Sequence, residues 1–326
     1  MKILVIFTGG TISCTNKNGF LSPSANADKS VIDEYRKANG NDIEFEAIKP
    51  FTVLSENLCA ETLNTLINTV YEKINQGYDK IIICHGTDTL RFSAAALAFS
   101  LSGRGAGIVL VSSNYPLNDK RSNGVENFVA AVEFLKIYNK DGVFVSYKNN
   151  GDNAKILLAS RLLAGAEEDD GIYESSARFA AQMINGKIEI SEDCNIPKCR
   201  KSEIIKFCEP SQIAVLESAP SAAPCVDLSR VKAVIFKPYH SGTLCTESTA
   251  LADFCRAAHK NGVSLFVANA RDTDIYESAR EFDRLKIVPV PNCTLASLYI
   301  KVWLAVSAGK DIPSFVQKEI YGEFQK

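Results

Sequence analysis

What this 326-residue sequence lacks narrows its function before any motif is read. It has no large excess of charge of either sign. Its formal net charge is -2, too small a basic field to neutralise a phosphate backbone, so a dedicated nucleic-acid binder is excluded and a small polar substrate expected. It has no run approaching the roughly 18 uninterrupted apolar residues of a membrane helix, because Lys, Asp, Asn or Arg breaks every candidate. The opening apolar run in Met1–Phe7 is short and meets Gly-Gly at once, which reads as a strand and not a signal peptide; an unexported, cytoplasmic protein is expected. No fixed-period repeat or low-complexity tract supports a solenoid or a disordered tail. A phosphate-binding loop is missing too, since the early glycine pair has neither GxGxxG spacing nor a following Lys-Ser/Thr. Ten cysteines without an export signal are expected to be reduced thiols. Their one cluster, Cys194, Cys199 and Cys208, contains no CxxC pair and has no nearby histidine, so no metal site is expected.

What is present is a hydrophobic content of 46%, spread along a chain too long for one ordinary core, so two domains are expected. Short apolar runs, KILVIF at the start, KIIIC at 80–84, IVLVS at 108–112 and VFVSY at 143–147, alternate with helix-periodic stretches at about 57–76, 89–102 and 123–139. That alternation predicts an α/β fold: a larger N-terminal, mostly parallel sheet flanked by helices. After Ile190 the pattern lapses into the polar SEDCNIPKCRKSE. The expected organisation is an N-terminal domain over 1–195, a linker over 196–211, and a smaller C-terminal α/β domain over 212–326. In the latter, strands are expected at 213–218, 231–237, 263–268 and 286–290, with helices at about 246–261 and 294–307.

In an open parallel sheet, ligands collect outside the carboxyl ends of the strands. After the first strand comes Thr8-Gly9-Gly10-Thr11-Ile12, where two glycines permit a sharp turn and a hydroxyl follows. Such a turn presents a nucleophile, and its amide N–H groups can face an oxyanion; the plain alternative is a strand-to-loop turn. After KIIIC comes His85-Gly86-Thr87-Asp88-Thr89-Leu90, with hydroxyls and a carboxylate around a helix start. Its plain alternative is a helix cap.

Together, TGGTI and HGTDTL at two strand ends, with Ser55-Glu56-Asn57 between them, resemble the bacterial-type L-asparaginase family. The segment VLVSSNYPLNDKRSNGVENF at 109–128 and the closing PVPNCTLASLYIKVWLA at 289–305 are similar to that family as well. The resemblance implies that Thr11 attacks a side-chain amide, releases ammonia and forms an ester that water hydrolyses. It implies a second set beginning with Thr87 and Asp88, with Asp88 also anchoring the substrate's α-ammonium, Ser55 on the α-carboxylate and Glu56 assisting at the ammonium. No metal or organic cofactor is implied. A homodimer or homotetramer is, with the smaller domain completing a neighbour's pocket.

Two positions depart from the family. Phe20 stands where the mobile loop carries a tyrosine, and a phenyl ring moves no proton. Arg161, in ILLASRLL, stands where a lysine is expected, with Lys155 the weaker candidate; a guanidinium supplies charge but no base. A salt-bridge partner facing solvent is the plain reading of Arg161. His85 and His240 read as structural histidines. The leading expectation is hydrolysis of L-asparagine to aspartate and ammonia. The rivals are an amidase for glutamine or a D-amino acid amide, and a non-catalytic amino-acid-binding member that lost its activating groups. The ammonia-supplying component of a tRNA-dependent amidotransferase is disfavoured because such components carry a domain ahead of the TGGT strand, which here begins at Lys2.

Overall fold

The structure, a computed structural model, describes residues 1–17, 20–23, 27–165, 170–175, 178–192, 196–271 and 276–324; the side chains of 15–17, 20–23 and 27–29 lie outside that description. The chain divides into two compact units, Met1–Ile204 and Ile205–Lys326.

In the first unit, the strands are β1 (Lys2–Phe7), β2 (Cys14–Lys17), β3 (Phe20–Pro23), β4 (Glu44–Ile48), β5 (Lys80–Cys84), β6 (Gly107–Val111), β7 (Gly142–Lys148), β8 (Ala154–Leu158), β9 (Leu162–Ala164), β10 (Ile172–Glu174), β11 (Ala181–Ile184) and β12 (Lys187–Ile190). Helices α1 (Ala27–Asn39), α2 (Ala60–Asn75), α3 (Leu90–Leu101) and α4 (Gly124–Ile137) connect or flank them. The main sheet runs β12-β11-β8-β7-β6-β5-β1-β4. From β4 through β7 every pairing is parallel, whereas β8, β11 and β12 add on antiparallel. Ile3–Ile6, Ile81–Cys84 and Ile108–Val111 have no exposed surface. Burial on both faces is why these strands read as continuous apolar runs and not as alternations.

The order of winding locates the crevice. From β1 the chain crosses to β4 on one side, then returns to β5 on the other side of β1 and proceeds outward through β6 and β7. The direction reverses between β1 and β5, and at such a switch point the loops leaving two neighbouring strands diverge and leave room for a ligand.

Helix α3 corrects one expectation. The stretch 89–102 reads as amphipathic, yet every residue of α3 except Arg91 and Phe92 is buried. It packs against α2, β7 and the 3-10 turn Ala159–Arg161, and its run of alanines and serines permits that close approach on several sides.

The second unit is a four-stranded sheet in the order β13 (Ile213–Glu217), β14 (Ala233–Lys237), β15 (Ser264–Ala270) and β16 (Val288–Pro291), parallel throughout. Alternate residues enter different clusters. Val234, Phe236, Leu265 and Val267 pack with α5 (Thr249–Lys260) and α6 (Glu281–Leu285), whereas Ala233, Ile235, Phe266 and Ala268 pack with α7 (Leu295–Ser307) and α8 (Ile312–Gln317). A period of two with both sides apolar is the pattern of a strand covered on both faces. Beside the second cluster, the fully buried Lys301 ammonium donates to the Glu323 carboxylate and, at 2.7 Å, to the Lys318 carbonyl. Glu323 also accepts from the backbone of Ile320 and Tyr321. Among the described residues no helix is long and apolar enough to cross a membrane, and no group of three or more His, Cys, Asp or Glu could hold a metal ion.

Candidate active site

Three turns meet at the β1/β5 switch point, and hydrogen bonds fix them there. The Thr8 amide and hydroxyl both donate to the Cys84 carbonyl, at 3.1 and 3.0 Å, joining the end of β1 to the end of β5. The Val53 amide donates to the Thr8 carbonyl at 3.0 Å, and Gly9 bridges Val53 in parallel fashion, which brings in the segment leading to Ser55. The His85 amide donates to Val111 at 2.9 Å and ties β5 to β6.

Glycine decides how closely the turns approach. Gly10 has φ 78° and ψ 177°, and a Cβ placed on it would lie 2.3 Å from the Gly86 Cα and 2.4 Å from the Gly86 nitrogen. A Cβ on Gly86 would lie 2.4 Å from the Ser55 Cβ, and one on Gly9 would lie 2.3 Å from the Val53 carbonyl oxygen. Since a Cβ has no room at any of these contacts, TGGT, HGTDT and the Ser55 turn abut through bare backbone. Thr11 and Thr87 each follow directly after one of two touching glycines.

The predicted residues divide by exposure. Thr11 begins the 3-10 turn Thr11–Ser13 and is half-buried, as is Thr87. Asp88 and Glu56 are exposed and, among the described residues, neither is ion-paired. Ser55 is buried and bonded to Thr89: its Oγ lies 3.0 Å from the Thr89 Oγ1 and accepts from the Thr89 amide at 2.9 Å. The Thr89 hydroxyl donates to the Ser55 carbonyl at 2.9 Å. His85 is fully buried, with Nδ1 2.8 Å from the Gly86 carbonyl. A carbonyl only accepts, so Nδ1 carries the proton. Burial holds this imidazole below the usual histidine range, and the bond to Gly86 only partly offsets it. His85 is therefore a neutral strut of the turn.

Arg161 ends the 3-10 turn that packs on α3 and is 8% exposed, so the reading of it as a solvent-facing residue does not hold. Its guanidinium lies 3.6 Å from the buried Glu174 carboxylate, which also accepts from the Leu158 amide at 2.9 Å. Lys155 pairs with Asp152. Phe20 opens β3, and its side chain lies outside the described residues. His240 is exposed in the second unit.

Sequence reasoning missed two groups. Thr89, inside HGTDT, was not singled out, yet its three bonds to Ser55 join two turns 34 residues apart. Asn127 is fully buried on α4, donating to Ser112 at 2.9 Å and accepting from Lys148 at 2.7 Å, so it ties the ends of β6 and β7. Being the one amide side chain in a helix whose other polar side chains are charged was its only signal. A polar cavity of about 510 Å³ opens farther along the same sheet edge, lined by residues such as Asn114, Lys120, Asn123, Lys148 and Asn149. Its amides serve the turns around it: Asn149 clamps the backbone of Ile172 at 3.0 Å in both directions, and Asn123 donates to Lys148.

Thr11 and Thr87 follow the touching glycines, the exposed Asp88 and Glu56 are the chain neighbours of Thr87 and Ser55, and the 12-residue helix α3 starts just beyond at Leu90. A carboxylate attracts an ammonium and a helix N-terminus attracts an anion. Residues 2–185 match the N-terminal domain of asparaginase. The chain belongs to the asparaginase family, a family of amidohydrolases. It is 30% identical over 163 residues to an L-asparaginase of Thermococcus kodakarensis, an alignment covering 50% of this chain and 47% of that protein. To a component of the glutamyl-tRNA(Gln) amidotransferase of Methanosphaera stadtmanae it is 33% identical over 137 residues, covering 41% of this chain and 31% of that one. These alignments thus span less than half the length of either relative. The fold of the thermostable Thermococcus kodakarensis L-asparaginase superimposes with a TM-score of 0.81 at 20% identity over 100% of both chains. That of L-asparaginase I from Vibrio cholerae also gives 0.81, at 18% identity over 100% of this chain and 99% of that one.

Proposed function

We propose that this protein hydrolyses the side-chain amide of L-asparagine, giving L-aspartate and ammonia, with Thr11 as the nucleophile. One observation carries the reading: the backbones of Gly10 and Gly86 touch, so the hydroxyls of Thr11 and Thr87 leave adjoining points of two loops at the sheet's switch point. In this mechanism the Thr11 oxygen attacks the amide carbon, and the oxyanion is met by backbone N–H groups of the turn. The C–N bond breaks with a proton delivered to nitrogen, ammonia leaves, and water hydrolyses the remaining ester. Asp88 and Glu56 receive the α-ammonium; Ser55, beside the start of α3, receives the α-carboxylate. Arg161, whose charge Glu174 compensates, belongs in this reading to the set that begins with Thr87 and Asp88, supplying positive charge and not acting as a base. The protein is proposed to work as a cytoplasmic homodimer or homotetramer without metal or organic cofactor.

Ammonia release from L-asparagine by the purified protein and by Thr11→Ala tests this. The variant should lose about a thousandfold or more of kcat; equal activity in the two proteins would refute the nucleophile. A second reading, preference for another amide such as glutamine, draws support from the similarity to glutamyl-tRNA(Gln) amidotransferase components, one of which, from Methanococcus vannielii, aligns at 26% identity with all of this chain and 79% of its own length. The ratio of ammonia release from asparagine and glutamine separates the two.

A further inference from the structure

The geometry points to Thr89 as a positioning residue that sets the hydroxyl of Ser55 for the α-carboxylate of an amino acid. The inference rests on the amino-acid reading of this pocket and adds to it the group that confers selectivity for the carboxylate.

Counting protons fixes the network. The Thr89 hydroxyl has one proton, which it donates to the Ser55 carbonyl. The contact of 3.0 Å between the two hydroxyl oxygens is then a bond from Ser55 Oγ to Thr89 Oγ1. Ser55 Oγ also accepts the Thr89 amide at 2.9 Å. That amide stands at the N-cap of α3, where no local side chain caps the helix. A helix start needs acceptors, and here Ser55 supplies one from a loop 34 residues earlier in the chain. Ser55 is thereby held as an acceptor on one side, with its single proton parked on Thr89 Oγ1 on the other.

A carboxylate arriving beside the start of α3 presents a stronger acceptor than a threonine hydroxyl. The Ser55 O–H rotates from Thr89 to the carboxylate, while the Thr89 amide and the Thr89-to-Ser55 carbonyl bond keep the oxygen in place. No side chain needs to move, because Ser55 is buried and its Cβ abuts Gly86. Thr89 thus acts through Ser55, and its loss should weaken ligands that carry an α-carboxylate while sparing those that do not.

Calorimetric binding of L-aspartate and β-alanine tests this without depending on turnover, β-alanine having the same ammonium and distal carboxylate but no α-carboxylate. Thr89→Val, which keeps the shape and removes the hydroxyl, should weaken L-aspartate about tenfold or more and leave β-alanine within about twofold. Thr89→Ser should restore L-aspartate binding. In a Ser55→Ala background, Thr89→Val should cost nothing further. Equal loss for both ligands, additive loss with Ser55→Ala, or no loss at all would each overturn the assignment. If the unaltered protein binds L-aspartate and Thr89→Val binds it equally well, only this inference falls. If the unaltered protein binds neither ligand, the amino-acid reading of the pocket fails and takes the inference with it.

Discussion

The contact between Gly10 and Gly86 can be weighed with three single alanine substitutions that separate its components. Gly77→Ala places a Cβ at φ 96° with nothing within 4 Å, so it reads backbone strain alone, about 1–2 kcal/mol. Gly86→Ala reads the close approach, since its Cβ would meet the Ser55 Cβ at 2.4 Å, an overpacking of about 1–3 kcal/mol. Gly10→Ala combines both at φ 78° with backbone 2.3 Å away, and should cost about 2–5 kcal/mol. For a unit of this size each kcal/mol lowers the melting temperature by about 2–4 °C. Gly77→Ala should therefore melt roughly 2–8 °C lower and Gly10→Ala roughly 4–20 °C lower. Calorimetric melting alongside ammonia release measures both sides. Gly77→Ala should retain its turnover; Gly10→Ala and Gly86→Ala should lose most of theirs even well below their melting points, because the two hydroxyl-bearing loops are forced apart. If Gly10→Ala were no less stable than Gly77→Ala and equally active, the two turns would not abut as described.

In the second unit, Lys301→Met removes the cation from a pair with no exposed surface on either side chain and strands Glu323. Denaturant unfolding should show a loss of about 3–5 kcal/mol, and a change under 1 kcal/mol would mean that the pair is not isolated from water. His85 makes stability depend on pH. Its folded pKa lies below its unfolded value because burial disfavours the charged ring, so the unfolded chain binds the extra proton first. Stability should be unaffected by this group above about pH 6.5 and fall as the pH drops below it. His85→Asn should flatten that part of the stability profile, and an unchanged slope would refute the assignment.

The elements legible in the sequence are those whose pattern comes from burial alone. KIIIC, IVLVS and VFVSY became β5, β6 and β7 because strands covered on both faces need only apolar residues. The segment after Lys148 was illegible for the opposite reason. Strands β8 to β12 are short and mixed in polarity, as in AQMI and KIEI, and antiparallel edge pairing is decided by neighbours that no local period records. At the site, TGGT and HGTDT were visible because glycine and threonine there serve the backbone. Their connection was not: the bond from Thr89 to Ser55 spans 34 residues, and nothing in either segment names the other. Arg161 was singled out by position, but the Glu174 carboxylate it pairs with belongs to β10, a strand the sequence did not announce.

Strand β1 is flanked by β5 and β4 and has no exposed surface from Ile3 to Ile6, yet the proposed nucleophile follows only a few residues beyond its end. The slowest-exchanging amides of the first unit should be found there, since such a strand opens only when the whole unit does. Turnover then doubles as a folding gauge. Loss of activity on heating or in denaturant should track global unfolding of Met1–Ile204 instead of preceding it through local fraying.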